Sequence, residues 1–255
     1  MIVPRLKGGV ANQLFCIAAG YSKSLDLGTT FAINYNLPHA GGQGKPPIFY
    51  KDTLYQKIPH TDITPTQIFN EPAWSYSPLP NNPDMLIDGY FQSNKHFMSH
   101  NDEIRELFVF PEYIKTKINN ALSKLKRPIT GIHVRLGDYL QPGYITTHLT
   151  CTRDYYINAI EKIEPSTVIV TTDDVENYTK YINIPNAIIC NSKSELEDLY
   201  LLSHCDNMIM SNSSFSWWGA FLGSKKKTVC APSKWFGQDG PKDYSDIYDK
   251  SWIII

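Results

Sequence analysis

With 255 residues, the chain has the length for one large domain or two small ones, and its 42% apolar and 13% aromatic residues can fill their cores. A formal net charge of −1 excludes broad electrostatic attraction to nucleic acid or anionic membranes, so an anionic ligand needs a local site. The five cysteines are dispersed without a CxxC pair, which argues against a zinc ribbon or thioredoxin-like motif and fits free thiols in a reducing compartment.

Residues Ile2–Leu6 form a short β-favouring run that ends at Lys7-Gly8-Gly9. From Asn12 the period turns helical, with Leu14, Ala18, Tyr21 and Leu25 three or four apart and Gly28 as the stop. Thr30–Asn34 reads as a second strand, giving the strand–glycine turn–helix–strand order of a nucleotide-binding α/β unit. Residues 36–83, rich in Pro, Tyr, Asn and Gln, read as loops with short elements. Met85–Tyr90 then reads as a strand, and Glu103–Phe108 and the basic stretch Ile114–Lys126 as helices.

After Pro128, short apolar runs alternate with helical segments. The strands expected are Ile129–Val134, Thr167–Thr171, Ala187–Cys190, Met208–Ser211 and Thr228–Ala231. The helices expected between them are Arg153–Ile163, Glu176–Tyr181, Glu195–Cys205 and Phe215–Leu222. Such alternation implies a parallel sheet covered on both faces. The predicted architecture is α/β, with two Rossmann-type domains, 1–127 and 128–255, facing each other across a cleft. Met1–Arg5 lacks the features of a signal peptide and no apolar run reaches bilayer length, so a cytoplasmic protein without a transmembrane segment is expected.

Three segments carry candidate chemistry. In Gly8-Gly9-Val10-Ala11-Asn12-Gln13 the glycines admit close backbone approach to a ligand, and Asn12 can bind that ligand or cap the helix. The segment lacks the GxGxxG dinucleotide pattern. In His133–Tyr139, alternation puts His133 and Arg135 on one face of a strand end, where Arg135 can grip a phosphate or pair with Asp138. In Asp198–Gly219, a helix and a strand lead to Asn212-Ser213-Ser214-Phe215-Ser216, whose hydroxyls at a helix start suit phosphate oxygens or an ordinary N-cap.

Asp173 and Asp174 end another strand and suit a nucleotide edge or a helix cap better than a metal. His96 and His100 lack a Glu after the first His and a nearby third ligand, so they read as ordinary helix residues. Gly42-Gln43-Gly44-Lys45 resembles a phosphate loop only superficially, because Pro46 follows the Lys and His39 holds the first Gly position.

The stretches GGVANQLFCIA (Gly8–Ala18), GYFQSNKHF (Gly89–Phe97), HVRLGDY (His133–Tyr139) and SNSSFSWWGAFL (Ser211–Leu222) together resemble glycosyltransferase family 11, the α-1,2-fucosyltransferases. That family shows GGLGNQLFQYA, GYFQSEKYF, HVRRGDY and SNSSFSWWGAWL in the same order. The resemblance implies a GT-B-like fold, GDP-fucose as donor, a galactose-terminated acceptor glycan, inversion at the fucose carbon, and no metal or other cofactor. The absence of an Asp-x-Asp triplet agrees with the last point.

By position, the resemblance assigns Arg135 to the diphosphate, with His133 beside the nucleotide. Asp198 falls to guanine, Ser213 and Ser214 to the phosphates, and Asp173 and Asp174 to the guanosine. Asn12 approaches the diphosphate or fucose; Gly8, Gly9, Asn212 and Phe215 complete the donor site, and Asp138 is the candidate base. Leu136 departs from the second Arg of the family motif, a lost cation expected to weaken phosphate binding or shift donor or acceptor preference. Transfer from another GDP-sugar is the competing enzymatic reading. A non-catalytic glycan-binding protein, suggested by 16 Tyr and 5 Trp, ranks far below it.

Overall fold

The structure, a computed structural model, describes residues 1–39, 44–190, 192, 194–223 and 226–255. In chain order its elements are β1 (Ile2–Pro4), α1 (Val10–Asp26), β2 (Ile68–Asn70), β3 (Met85–Asp88), α2 (Asn101–Leu107), α3 (Glu112–Leu122) and β4 (Ile129–Val134). There follow α4 (Arg153–Ile163), β5 (Thr167–Thr172), α5 (Val175–Asn177), β6 (Ile188–Ile189), α6 (Glu195–His204), β7 (Asn207–Ile209), α7 (Ser214–Phe221), β8 (Thr228–Ala231) and β9 (Ile253–Ile254). All five cysteines are free thiols.

The chain divides into two compact units, 1–111 with 243–249 and 112–242 with 250–255. The boundary expected at 127/128 is therefore displaced: α3 belongs to the second unit. Its Lys117 Nζ lies 2.7 Å from Glu197 Oε2 on α6, and Asn119 Nδ2 donates to the Tyr200 hydroxyl at 3.2 Å. The buried Glu197 carboxylate needs such a partner, which ties the helix to this unit. Segment 243–249 returns to the first unit, where Asp246 accepts the Tyr76 N–H and pairs with Lys95, and Asp249 accepts from Asn94.

In the first unit, β1, β3 and β2 form a parallel sheet in that order. Helix α1 buries Leu14, Phe15, Ile17 and Ala18 and ends just before Gly28, whose φ of +60° lets the chain turn out of the helix. Leu25, expected on the buried stripe, is instead exposed. Residues 30–34 do not form the expected regular strand: Phe31 bridges Ile2 and Ile33 bridges His60, so the segment serves two different neighbours.

The second unit holds a six-stranded parallel sheet in the order β6-β5-β4-β7-β8-β9. One face packs Ile132, Val134 and Val170 with Tyr156 of α4 and with Tyr178 and Ile182 from the wide turn after α5. On the other face α6 comes close over Gly131, where a Cβ would meet Cys205 Sγ at 2.9 Å and Leu202 Cδ2 at 3.0 Å. The chain leaves β4 toward β5 on one side and returns to β7 on the other. The gap between the carboxyl ends of β4 and β7 is therefore a topological switch point, where open α/β sheets bind ligands.

Candidate active site

His133 is the penultimate residue of β4, at that switch point. Parallel register sets it beside Thr171 of β5, and alternation puts both on the face that Gly131 shares with α6. The His133 Nδ1 lies 2.7 Å from Ser216 Oγ and 3.1 Å from Ser211 Oγ, while Ser216 Oγ also accepts the Ser211 N–H at 3.1 Å. Burial, reinforced by the Arg135 cation, lowers the His133 pKa to about 3, so the ring is neutral. Its Nε2 has no hydrogen-bond partner among the described residues. Phe215 lies against the imidazole at 5.0 Å between ring centroids.

Thr171 Oγ1 and Asp198 Oδ1, in the same unit, are also buried without a hydrogen-bond partner among the described residues. Leaving such a group unbonded costs about 1–3 kcal/mol, so each is a candidate to be met by a ligand. Burial raises the Asp198 pKa to about 6, opposed by hydrogen bonding from Ser192 and Cys190.

Arg135 is held by two carboxylates, Nη2 at 2.7 Å from Asp138 Oδ1 and Nη1 at 3.2 Å from Asp173 Oδ2, with the Tyr139 ring 5.5 Å from Cζ. Asp173 also accepts the Leu136 N–H at 2.9 Å. Gly137 admits this arrangement, since a Cβ there would lie 2.5 Å from Asp173 Oδ2. Asp138 is thus ion-paired with Arg135 in this structure. The guanidinium keeps further N–H donors for an anion, and its side chain is 29% exposed.

Several expected contacts are redirected. Asn212 is fully engaged by protein: Nδ2 donates to the carbonyls of Leu149 at 2.6 Å and Trp235 at 2.9 Å, and Oδ1 accepts from Cys151 Sγ at 3.6 Å. It joins loops instead of offering a side chain to a ligand. Asp174 caps α5, accepting the Asn177 N–H at 3.0 Å and its side-chain amide at 2.6 Å. Ser213 caps α7 by accepting the Phe215 N–H at 3.2 Å, leaving Ser214 as the half-buried hydroxyl at that helix start. Leu136 is buried in the core with Val134 and Tyr156, while its N–H bonds Asp173 of the Arg135 ion pairs.

In the first unit, Gly8 has φ +62° and its carbonyl accepts from Gln13 Nε2 and contacts His39 Nε2, both at 2.9 Å. The fully buried Gln13 also donates to the Lys45 carbonyl at 2.9 Å and accepts the Tyr55 hydroxyl at 3.0 Å. Gly44 lies so close that a Cβ would come within 2.5 Å of Gly9 Cα. This glycine therefore serves the turn at Gly8–Gly9, while Gly42 and Gln43 of the same stretch lie outside the described residues. Asn12 does not cap α1, whose N-cap is Gly9 without a side-chain cap bond. Sequence reasoning missed Gln13 and Ser216 as the groups that hold Gly8 and His133, although both stand inside the quoted motifs. His96 packs against Tyr76 and Phe91, and His100 pairs with Asp26.

Two parallel sheets, with a polar switch point in the second, give an α/β architecture of GT-B-like fold. The model of glycosyl transferase family 11 matches residues 62–255, and the chain belongs to that family. An alpha-1,2-colitosyltransferase from Escherichia coli is 26% identical over all of this chain and 99% of its own length. The Escherichia coli O-antigen biosynthesis glycosyltransferase WbnK is 36% identical over 65% of this chain, but only 59% of WbnK is covered. The galactoside alpha-(1,2)-fucosyltransferase 1 of Saimiri boliviensis boliviensis is 25% identical over 69% of this chain and 54% of its own length. The chain thus spans little more than half of these last two relatives. Among solved structures, fucosyltransferase NodZ from Bradyrhizobium superposes with a TM-score of 0.60 at 14% identity, covering 89% of this chain and 94% of NodZ. No described helix is long and apolar enough to cross a membrane.

Proposed function

We propose that the chain is an inverting, metal-independent fucosyltransferase that moves L-fucose from GDP-fucose to a glycan hydroxyl, in α-1,2 linkage to galactose. The observation that carries this reading is the set of groups on one sheet face at or beside the switch point: the neutral His133 with an open Nε2, and the unpartnered Thr171 Oγ1. Asp198 Oδ1, buried and unpartnered in the first turn of α6, is assigned to the guanine N–H edge. Arg135 and the start of α7 at Ser214 take the diphosphate and stabilise charge on the departing β-phosphate as the fucosyl carbon gains oxocarbenium character. Asn12 is assigned to the reacting sugar by its place in the family motif, and the acceptor hydroxyl attacks the opposite face of the fucosyl carbon.

The test combines GDP-fucose, a chelator and a panel of β-galactosides, with mass detection of products. Addition of one fucosyl unit in the presence of chelator is expected. Loss of product on chelation would overturn metal independence, and no transfer from any GDP-sugar would leave the glycan-binding reading. A second donor belongs in the panel, since the full-length likeness to a colitosyltransferase favours trying colitose in place of fucose.

Asp198 gives the proposal a pH signature. The ionised carboxylate accepts two N–H donors, so GDP affinity should fall as pH drops through about 6, by up to tenfold per unit. Stability runs the other way. The folded state holds this proton more tightly than the unfolded chain, so the contribution is complete below the ordinary carboxyl pKa and is lost as pH rises through about 6. Calorimetric GDP titrations of wild type and Asp198→Asn between pH 5 and about 8 check this; an unchanged pH profile in the variant removes Asp198 from the base site.

A further inference from the structure

The first unit contains a chain of contacts that ends on Asn12. The carboxylate of Glu71, just past β2, accepts the Tyr90 N–H at 2.6 Å and the Phe91 N–H at 3.0 and 3.1 Å. Burial raises its pKa, so it sits there at a cost that these two donors offset. The turn it grips is unusual: Phe91 is fully buried at φ +51°, a left-handed conformation that a bulky residue adopts only when its surroundings impose it. Gly89 makes room, since a Cβ there would lie 2.4 Å from Glu71 Cβ.

The next residue, the buried Gln92, donates from Nε2 to Asn12 Oδ1 at 2.9 Å. Asn12 Nδ2 lies over Gly8, where a Cβ would approach it to 2.6 Å, and has no hydrogen-bond partner among the described residues. One end of the carboxamide is fixed and the other is left as a donor. A helix cap would bond that side chain to the helix start, and α1 has no such bond.

We propose that Glu71 and Gln92 are positioning residues: Glu71 sets the Gly89–Phe91 turn so that Gln92 locks the Asn12 carboxamide with its NH2 group left beside Gly8 as a donor. This rests on the reading that Asn12 meets the reacting sugar. Such a lock supplies orientation, and misplacing a reacting group by about 1 Å can cost roughly 10²-fold in rate.

A double-mutant cycle tests it. Gln92→Met keeps length and volume but cannot donate, and is expected to lower kcat for fucosyl transfer by about 10–100-fold with donor KM within about twofold of wild type. Glu71→Gln offers one accepting oxygen in place of two and should lose kcat in the same sense. In an Asn12→Ala background, Gln92→Met should have no further effect. Losses that multiply in the double mutant overturn the proposal.

A second readout needs no turnover: solvent exchange of the Gln92 side-chain amide, followed by NMR, should quicken by about fivefold in Asn12→Ala, the value of one ordinary hydrogen bond. Equal exchange rates also overturn it. If wild type transfers nothing from GDP-fucose, the functional reading fails, while the exchange comparison still decides the Gln92–Asn12 lock.

Discussion

Arg135→Ala should lower fucosyl transfer by roughly 10²–10³-fold, the cost of removing one well-aimed donor from a developing oxyanion. The structure adds a second component to that loss. Arg135 is shared by Asp138 and Asp173, so deleting it leaves two carboxylates without their common cation where the diphosphate is proposed to sit. Donor KM should therefore rise together with the fall in kcat. The double variant Arg135→Ala/Asp173→Asn separates the two effects, because Asn can still accept the Leu136 N–H while carrying no charge. It should recover donor KM in part and kcat hardly at all. Arg135→Lys is expected to stay well below wild type, since an ammonium cannot bridge two carboxylates and a phosphate as a planar fork does. The side chain reaches the surface, so the thermal midpoint of the alanine variant should stay near that of wild type. Wild-type turnover in that folded variant would remove Arg135 from the reaction.

The elements flanking this site were legible because each obeys a local rule. Ile129–Val134, Arg153–Ile163 and Thr228–Ala231 appear with the bounds their apolar patterns and flanking residues imply. Strand β2 was not legible: it has three residues inside a Pro-rich stretch, and Ile68 is exposed, so no alternation announces it. The return of 243–249 to the first unit depends on Asp246 and Asp249 meeting partners about 150 residues away, which no local pattern can report. The same division runs through the site. His133, Arg135 and Asp198 could be named from motifs, because residue type and strand-end position carry the chemistry. Gln13 and Glu71 could not be given roles, because theirs consist of bonds to the Lys45 carbonyl and to the Tyr90 and Phe91 amides. Asn212 and Asp174 show the converse, residue types suited to a ligand that the fold commits to its own loops and caps.

Leu136 is where motif and packing conflict most directly, and restoring the family residue there should harm the protein. Leu136→Arg is expected to lose about 3 kcal/mol or more of stability without tightening GDP binding. The side chain is 2% exposed and lies in the core with Val134 and Tyr156. A guanidinium placed there would need an anion or several acceptors, yet its neighbours in the core are apolar side chains and the rings of Tyr156 and Tyr178. The longer side chain would also overfill a closed core. Reaching out toward Asp173 would displace Arg135 from the carboxylate that orients it. Leu136→Met is the control, a nearly volume-conserving change that should cost under about 1.5 kcal/mol. Denaturant unfolding and GDP titration of both variants check the expectation together. A stable Leu136→Arg protein with tighter GDP binding would mean that position 136 faces the phosphates; an unstable one with unimproved affinity fixes Leu136 as the residue that closes the core behind Arg135.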